Sequence, residues 1–435
     1  MTDAVVVGAG PNGLVAANLL ADAGWSVLVL EEQDEPGGAV RSREIEPGVV
    51  ADRFSAFYPF AAASPVVRAL RLEEHGLRWS RAPLVMAHPR EDGTAAVLSQ
   101  DVDATAAGLD ADAPGDGDAW RELVALWQRL EEPLLQALLA PLPPVVPALR
   151  LARRLGVAGG VRFAGFGVTP VRSLGEERFR GDGGGLLLAG NALHSDLAPE
   201  AAGSGLYGWL LAMLGQAVGF PVPVGGSGQL TAALVRRLES RGGAVHCGRR
   251  VDAVVVRGGR AAGVRTADGE EVRARRAVLA DVDAPTLYRR LLDPAHVPAA
   301  LLRDLDRFDW DWGTVKVDWV LDGGVPWTAE QARAAGTVHL SEGVDGMTAY
   351  SADLARGLLP AHPFVVLGQM TTSDPTRSPA GTEQAWAYSH VPQRVKGDAT
   401  GGGLTGRWDA AETAAYADRL EERVERYAPG FRARI

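Results

Sequence analysis

The sequence predicts an α/β fold with more than one domain. Two patterns carry this prediction: a strand–helix–strand pattern over residues 3–41, and a series of short strands separated by glycine turns over residues 244–281. The chain has 435 residues, which is enough for two domains, and its 46% hydrophobic and 23% charged residues are ordinary for a globular protein. The formal net charge of −10 argues against nonspecific nucleic-acid binding.

The first pattern is a complete βαβ unit. Ala4–Val7 is a short apolar run typical of a buried parallel strand, and Trp25–Leu30 is a second such run. Between the two runs, apolar residues recur at the spacing of one helix face. The turn before this helix carries a G-x-G-x-x-G motif, formed by Gly8, Gly10 and Gly13.

A motif of this kind, between a strand and a helix, is typical of a Rossmann-like dinucleotide-binding domain. Gly8 allows the tight turn, Gly10 lets the backbone approach a pyrophosphate, and Gly13 lets the helix pack closely on the strand. The helix begins at Pro11 and Asn12, and its N-terminus, apart from Pro11, which has no N–H, offers free N–H groups and a partial positive charge to phosphates. The alternative is a glycine-rich turn in the same fold without a ligand.

An acidic residue ends the second strand. Glu31 lies 23 residues after Gly8, close to the ~20 expected for the residue that binds a ribose. A carboxylate there accepts hydrogen bonds from a ribose 2′-hydroxyl and repels a 2′-phosphate, so FAD or NAD is favoured over NADP. The adjacent Glu32 is the alternative for the ribose contact.

The residues after the acid distinguish between the dinucleotides. Gly37, Gly38 and Arg41 follow Glu31 closely, and the sequence resembles the FAD-dependent superfamily of phytoene desaturases, carotenoid isomerases and flavin amine oxidases. There the ribose acid precedes a Gly-Gly pair and a basic residue near the pyrophosphate, so the resemblance implies FAD. The superfamily places the basic residue directly after the glycines, whereas here two residues intervene. The role of Arg41 is therefore open.

A second region resembles the same superfamily. The loop Pro223–Leu230 matches its P-x-G-G motif, which opens a helix beside the flavin, through Gly225 and Gly226. The resemblance also implies that the backbone of Val251 binds the adenine and that Asp281 ends a strand returning to the flavin. It implies a Rossmann-like FAD-binding domain interleaved with an α+β substrate domain. The FAD-binding segments are then 1–65 and 223–285, and the substrate segments are 66–222 and 286–435.

Several elements are expected in the substrate segments. Asp101–Asp118, acidic and rich in Ala and Gly, is expected to be a weakly structured surface stretch, and Trp120 opens an amphipathic helix. Pro133 is expected to start a second helix, which the proline-rich segment 141–147 ends. This region is unusually apolar through Leu155. Superfamily members with lipid substrates use the equivalent region as a cap, sometimes docked on a membrane, which implies peripheral membrane contact; core packing is the alternative.

The stretch from Ala201 to Val235 contains no charged residue. Glycines and prolines interrupt it, which argues against a membrane span and for a buried helix over Leu206–Val218. We expect this helix to line an elongated apolar pocket through Leu206, Trp209, Leu210 and Met213. Later in the chain, Thr314–Leu321 alternates as a strand and Glu412–Tyr427 has the pattern of a helix.

The resemblance implies an FAD-dependent oxidoreductase that takes a hydride from an apolar or amphipathic small molecule. The sub-branch described as pyridine nucleotide-disulfide oxidoreductase domain-containing fits best, although Cys247 is the one cysteine and a redox pair is absent. The alternatives are a flavin amine oxidase and, in another class, a non-catalytic lipid-binding or escort protein. No motif identifies catalytic residues; His194 and Tyr207 are weak candidates, and structural roles are the alternative. No Cys/His cluster has metal-ligand spacing.

The two ends of the sequence carry further expectations. The first strand begins near residue 4, leaving no room for a signal peptide, so a cytoplasmic protein is expected. The dominance of Arg over Lys, with much Ala and Gly, indicates a bacterial source with a GC-rich genome. In the superfamily the chain finally returns to the FAD domain and completes the flavin site. No such motif follows Glu412–Tyr427, so we expect that segment to be missing and the FAD domain to have an open edge.

Overall fold

The computed structural model describes residues 2–140 and 143–435. The strands, in chain order, are β1 Thr2–Val7, β2 Val27–Leu30, β3 Ser42–Glu46, β4 Val49–Asp52, β5 Trp79–Ser80, β6 Leu84–Pro89, β7 Ala95–Leu98, β8 Val222–Pro223, β9 Ala244–His246, β10 Val251–Arg257, β11 Arg260–Thr266, β12 Glu271–Ala280, β13 Gly313–Leu321, β14 Ala335–Leu340, β15 Leu358–Leu359, β16 Val365–Gln369, β17 Glu383–Val391 and β18 Gly397–Asp398.

The α-helices, in chain order, are α1 Pro11–Asp22, α2 Pro59–Ala63, α3 Pro65–Ala69, α4 Val102–Asp112, α5 Asp116–Leu138, α6 Val145–Val168, α7 Val171–Arg178, α8 Gly183–Leu193, α9 Ser204–Val218, α10 Gly228–Ser240, α11 Ala284–Thr286, α12 Ala299–Leu305, α13 Gly343–Arg356, α14 Met370–Ser373 and α15 Ala410–Tyr427. No helix in the described residues is both long and apolar enough to cross a bilayer.

The chain divides into two compact units. The first comprises residues 1–57, 65–79 and 222–310, and the second comprises residues 58–64, 80–221 and 311–435. Their interleaving follows the expected order of segments. The boundaries differ from those expected, because residues 66–79 and 286–310 pack with the first unit and residues 58–64 pack with the second.

The first unit is built on a six-stranded sheet in the order β10-β11-β12-β1-β2-β9. The strands β12, β1, β2 and β9 run parallel, whereas β10, β11 and the start of β12 form an antiparallel meander. Val5, Val7 and Leu30 form its core with Val251 and Val264. Residues 271–280, where the pattern predicts short strands, form one continuous strand, β12.

One edge of this sheet is open next to the glycine motif. Residues 277–280 of β12 pair with β1 on one side, while β11 reaches only residues 271–273 on the other. Within the described chain no strand pairs with the outer edge of residues 277–280, and Val278 and Leu279 are only half-buried. A central parallel strand is normally covered on both sides. In the described residues, the outer edge of this part of β12 therefore has no strand partner.

The second unit is built on a six-stranded mixed sheet in the order β13-β17-β16-β14-β6-β7. One face is apolar: Trp319 and Leu321 of β13 pack in one core with Tyr416, Leu420 and Val424 of α15. The opposite face carries polar and aromatic side chains, namely His88, Lys316, His339, Trp386 and Tyr388. The alternation predicted for Thr314–Leu321 is confirmed, and it separates these two faces.

Two expectations for the second unit are wrong. The stretch Asp101–Asp118 is ordered, because the Asp101 carboxylate caps α4 by accepting the N–H groups of Asp103 and Ala104. Helix α5 continues through Pro133 instead of ending there. A proline leaves the carbonyl four residues earlier without its helical donor, and that carbonyl, of Arg129, accepts a hydrogen bond from Arg154 of α6. Of the segment 141–147, Pro141 and Leu142 lie outside the described residues.

Candidate cofactor site

The glycine motif forms the turn between β1 and α1. Gly8 has φ +98°, a conformation that favours glycine. A Cβ atom on Gly13 would lie 2.4 Å from the backbone oxygen of Gly8 and 2.9 Å from a carboxylate oxygen of Asp281. The helix begins with Pro11 at its first turn, and Gly10 precedes it in extended conformation. Strand, turn and helix therefore have the close packing that the motif predicts.

Glu31 lies beside this turn and is nearly buried, with 7% of its surface exposed. One carboxylate oxygen accepts the Ala9 N–H at 2.8 Å, and the other accepts the Gln33 N–H at 3.0 Å. These bonds fix the carboxylate between the glycine turn and the end of β2, where further lone pairs remain for ribose hydroxyls. The neighbouring Glu32 is exposed and accepts a hydrogen bond from the Gln33 side chain.

A cavity of about 470 Å³ opens beside Glu32. Val251 of β10 lines it, together with Arg250, Asp252 and residues after β12. The structure thus places the predicted adenine contact, Val251, and one of the two candidate ribose acids at one cavity. Both assignments stay predictions.

The Gly-Gly pair lies against the glycine turn. The Gly37 N–H donates to the Ala9 carbonyl at 2.8 Å, and a Cβ on Gly38 would lie 3.2 Å from the Gly10 Cα. Arg41 is directed back toward the pair: its Nε donates to the Gly38 carbonyl at 2.9 Å, and it pairs with Glu35 at 3.5 Å. The structure therefore brings these three residues together, and the Arg41 side chain is engaged by the loop itself.

The P-x-G-G loop packs on the hairpin β3–β4. Gly225 and Gly226 both have positive φ, and a Cβ on Gly226 would lie 2.4 Å from the Ser42 hydroxyl oxygen. Asp52, which is fully buried, accepts both the Ser42 hydroxyl and the Ser227 N–H at 2.7 Å. Asp52 therefore anchors the loop that opens α10.

Asp281 closes the turn from the end of β12. Its carboxylate accepts the Gly13 N–H at 2.8 Å. Burial raises the pKa of this carboxyl, the Gly13 N–H opposes that shift, and the nearby Glu31 adds to it. Asp281 therefore ties β12 to α1. The bare glycine turn, the fixed Glu31 carboxylate and the cavity at Val251 together fit the adenosine diphosphate half of FAD.

We predict that Glu31→Ala weakens FAD binding, because a nearly buried acceptor for the ribose hydroxyls is lost. The expected loss is about 1.5–3 kcal/mol, or roughly ten-fold to one-hundred-fold in Kd. Titration of FAD into the apoprotein, followed by flavin fluorescence, measures the change. Glu32→Ala is the matched control and should leave Kd unchanged; the reverse pattern would make Glu32 the ribose ligand.

The weak catalytic candidates have different surroundings. Tyr207 is 44% exposed on α9. The His194 ring lies 5.8 Å from that of His339 and 5.9 Å from that of Tyr388, between ring centroids. Burial, and secondarily the charge of His390, lowers the pKa of His194 to about 4. His194 is thus a neutral side chain at pH 7.

The structure adds a cluster of histidines that the sequence did not indicate. His390 Nε2 lies 3.0 Å from an Asp196 carboxylate oxygen, and its Nδ1 lies 3.3 Å from the Thr314 hydroxyl. His88 and His339 are buried on neighbouring strands, with ring centroids 6.5 Å apart. These residues come from distant parts of the sequence, and no spacing pattern connects them.

The pocket expected along α9 is absent at the residues named for it. Trp209 and Met213 are fully buried and Leu210 is 3% exposed, whereas Leu206 is only half-buried. Trp209 packs edge-on against three rings, those of Trp127, Phe163 and Phe166. The prediction that these side chains line an elongated pocket is therefore wrong, because α9 is a core helix.

In residues 2–140 and 143–435 no group of acidic, Cys or His side chains has the geometry of a metal site.

The chain is similar to several known proteins. A family model described as flavin containing amine oxidoreductase matches residues 12–353. Pyridine nucleotide-disulfide oxidoreductase domain-containing protein 2 of Mus musculus is 27% identical over 475 residues, covering 100% of this chain and 80% of that protein. The zeta-carotene-forming phytoene desaturase of Myxococcus xanthus is 29% identical over 301 residues, covering 67% and 55%. An oxidoreductase structure from Methanosarcina mazei shares the fold, with a TM-score of 0.62 at 15% identity, over 98% and 85% of the chains.

Proposed function

Since the chain belongs to the family of flavin-containing amine oxidoreductases and is an FAD-dependent oxidoreductase, we propose that its substrate is an apolar or amphipathic small molecule that loses a hydride to the flavin. The observation that carries FAD chemistry is the intact turn at Gly8–Gly13 with Glu31 fixed beside it. The proposal for the substrate is supported by the Myxococcus relative, which is named as a phytoene desaturase, because phytoene is an apolar molecule.

When bound, FAD accepts a hydride from a C–H bond of the substrate, and a proton leaves the neighbouring atom. Several residues of this chain would hold the cofactor: Glu31 would bind the ribose, and the glycine turn and the N-terminus of α1 would bind the pyrophosphate. The backbone of Val251 binds the adenine. We keep His194 as the candidate proton acceptor, because it is neutral at pH 7, with a structural role as the alternative.

A flavin amine oxidase is the second candidate. Trp386 and Tyr388 stack nearly parallel on one face of the sheet, with ring centroids 5.8 Å apart, and Lys316 lies 5.8 Å from the Trp386 ring. Aromatic faces attract ammonium groups, so such a pair suits an amine. We propose a cytoplasmic location, in agreement with a single free cysteine.

We predict that anaerobic addition of a suitable isoprenoid hydrocarbon or long-chain apolar compound bleaches the visible absorbance of the FAD-loaded protein, because reduced flavin loses that band. A panel of primary and secondary amines is the matched comparison. Bleaching by amines alone would make the protein an amine oxidase. Tight flavin binding with no bleaching by either class would contradict both candidate substrate classes.

A further inference from the structure

His390, near the end of β17, lies between a carboxylate and a hydroxyl group from other parts of the second unit. Its Nε2 atom lies 3.0 Å from the carboxylate of Asp196, and its Nδ1 atom lies 3.3 Å from the hydroxyl oxygen of Thr314. Asp196 follows the end of α8, and Thr314 faces His390 across the strand pair β13–β17. A carboxylate at one ring nitrogen fixes the proton there and leaves the other nitrogen free to accept one. The three groups therefore have the arrangement of a histidine base.

The contact between His390 and Asp196 is buried. His390 is 9% exposed, and both its Nε2 atom and the Asp196 Oδ1 atom are shielded from solvent. Their contact lacks the alignment of a hydrogen bond, and neither atom has another hydrogen-bond partner in the part of the chain that the structure describes. Buried polar atoms are nearly always bonded, so this exception requires an explanation. Thr314, at the other ring nitrogen, is exposed, so the group of three reaches solvent.

The backbone holds both members of the pair in place. Asp196 has φ +61°, a left-handed conformation that residues other than glycine seldom adopt. Its N–H donates to the Leu193 carbonyl of α8 at 3.0 Å. On the other side, the His390 N–H donates to the Tyr350 hydroxyl oxygen of α13 at 2.9 Å. Conformations of this kind persist where the surroundings impose them, and they are concentrated at functional sites.

A cavity of about 200 Å³ borders the pair. It is larger than a cavity of about 150 Å³ that holds benzene, so it has room for part of a small organic molecule. Apolar side chains form most of its wall, namely Leu193, Ala198, Ala201, Trp312 and Leu354. The Tyr388 ring lies 5.3 Å from the His390 ring, between centroids, on the face of β17 that also carries Trp386. His390 therefore lies between an apolar cavity and the aromatic pair of the sheet.

His194 is less suited to accept a proton. Its Nδ1 atom is buried and has no hydrogen-bond partner among the described residues, and its ring packs against the rings of His339 and Tyr388. A proton taken up there would have no hydrogen-bonded group to receive it. The low pKa of His194, about 4, also makes it a weak base. His390 has a carboxylate on one side and an exposed hydroxyl on the other.

We propose that His390 is the catalytic base of the proposed reaction, on which this inference rests, and that Asp196 is its positioning residue. The substrate loses a hydride to FAD from one carbon. The proton on the neighbouring atom bonds to His390 Nδ1, and the electron pair of the broken bond completes a double bond in the oxidised product. Asp196 pairs with the positive ring through Nε2. The Thr314 hydroxyl then leads the proton to water.

The positioning role can be tested without turnover, in the flavin-free full-length chain labelled with ¹⁵N-histidine. The ring signals of His390 are those that disappear in His390→Gln. At pH 8 we expect its proton on Nε2, with Nδ1 bare, because the carboxylate accepts from Nε2. Asp196→Asn should move part of the population to the other tautomer. A proton on Nδ1 in the parent chain, or an unchanged spectrum in Asp196→Asn, would overturn the positioning role.

The catalytic role is tested by the rate of anaerobic flavin bleaching with the compound that bleaches the parent chain. His390→Gln should lower this rate about 100-fold or more, whereas Asp196→Asn should lower it about ten-fold, with Kd for the substrate nearly unchanged in both. Imidazole in solution should restore part of the rate of His390→Ala, which a purely structural role would not allow. Circular dichroism should match that of the parent.

His194→Gln is the competing variant, and His296→Gln, at an exposed position, is the control for the substitution itself. Both should bleach within about two-fold of the parent rate. A normal rate in His390→Gln, or a large loss in His194→Gln alone, would overturn the proposal. Absence of bleaching in the parent chain with either class of compound would instead contradict the proposed function, and the tautomer of His390 would still show whether Asp196 positions the ring.

Discussion

Gly13→Ala is expected to leave the chain unable to retain flavin on gel filtration and to destabilise it by about 2–3 kcal/mol. The new methyl group would lie 2.4 Å from the Gly8 carbonyl oxygen, and a backbone oxygen cannot move aside as a flexible side chain can. Helix α1 would have to shift away from β1. That shift would displace the turn that faces the pyrophosphate and break the hydrogen bond from Gly13 to Asp281.

Gly108→Ala is the matched control for this variant. Gly108 lies in α4, with open space where its Cβ would be. Alanine there should stabilise the chain by about 0.5–1 kcal/mol, because it favours the helix, and flavin should be retained. Urea unfolding and the ratio of flavin to protein after gel filtration measure both effects. Normal flavin content in Gly13→Ala would show that α1 and the turn tolerate a wider separation.

Acid should destabilise the second unit strongly. Burial, and secondarily the charge of Arg90, lowers the pKa of His88 to about 3. Burial lowers the pKa of His194 to about 4, and burial, with neighbouring histidines, lowers that of His339 well below its ordinary value. The unfolded chain then binds these protons more tightly than the folded chain. The contribution to stability is complete above about pH 6.5 and is lost as the pH falls toward the folded-state pKa values.

Between pH 7 and pH 5 we expect a loss of about 2 kcal/mol each for His88 and His194, and a further loss from His339. Unfolding followed by the fluorescence of the buried Trp120, Trp209 and Trp327 reports on this unit. His339→Leu should make the loss between the two pH values smaller. His296→Leu, at an exposed position, should not change it. Equal stability of the parent chain at both pH values would contradict the prediction.

The parts of the fold that depend on local pattern were predictable. The glycine motif, the acid at the end of β2 and the short strands after α10 all lie close to their predicted positions. The spacing of apolar residues and the residue preferences of turns determine such elements within a few residues of sequence. Asp101 was missed as a helix cap, since its acidic, Ala-rich surroundings indicated a weakly structured surface. The apolar character of 201–235 was correctly assigned to a buried helix, yet periodicity does not distinguish a pocket wall from a packed core.

Other features depend on contacts between distant residues. His390 pairs with Asp196, which lies almost 200 residues earlier in the chain. No sequence motif around either residue indicates this contact. Helix α6 exposes Val157, Val161 and Val168 to solvent. Their exposure follows from the packing of Phe163 and Phe166, on the same helix, against Trp209. Asp52 becomes the anchor of the P-x-G-G loop only because β3 and β4 bring it to Ser227.

The position of β1 has a consequence for synthesis of the chain. Its neighbour β2 follows within 30 residues, but its other neighbour is β12, at residues 271–280. As the chain leaves the ribosome, β1 therefore stays half-paired until more than 270 residues have emerged. Parallel pairing over such a sequence distance is slow, and the unpaired edge of β1 is prone to aggregation until β12 is made. Folding yield should therefore depend on chaperones and on translation speed across residues 80–221, the stretch of the second unit that is made in between.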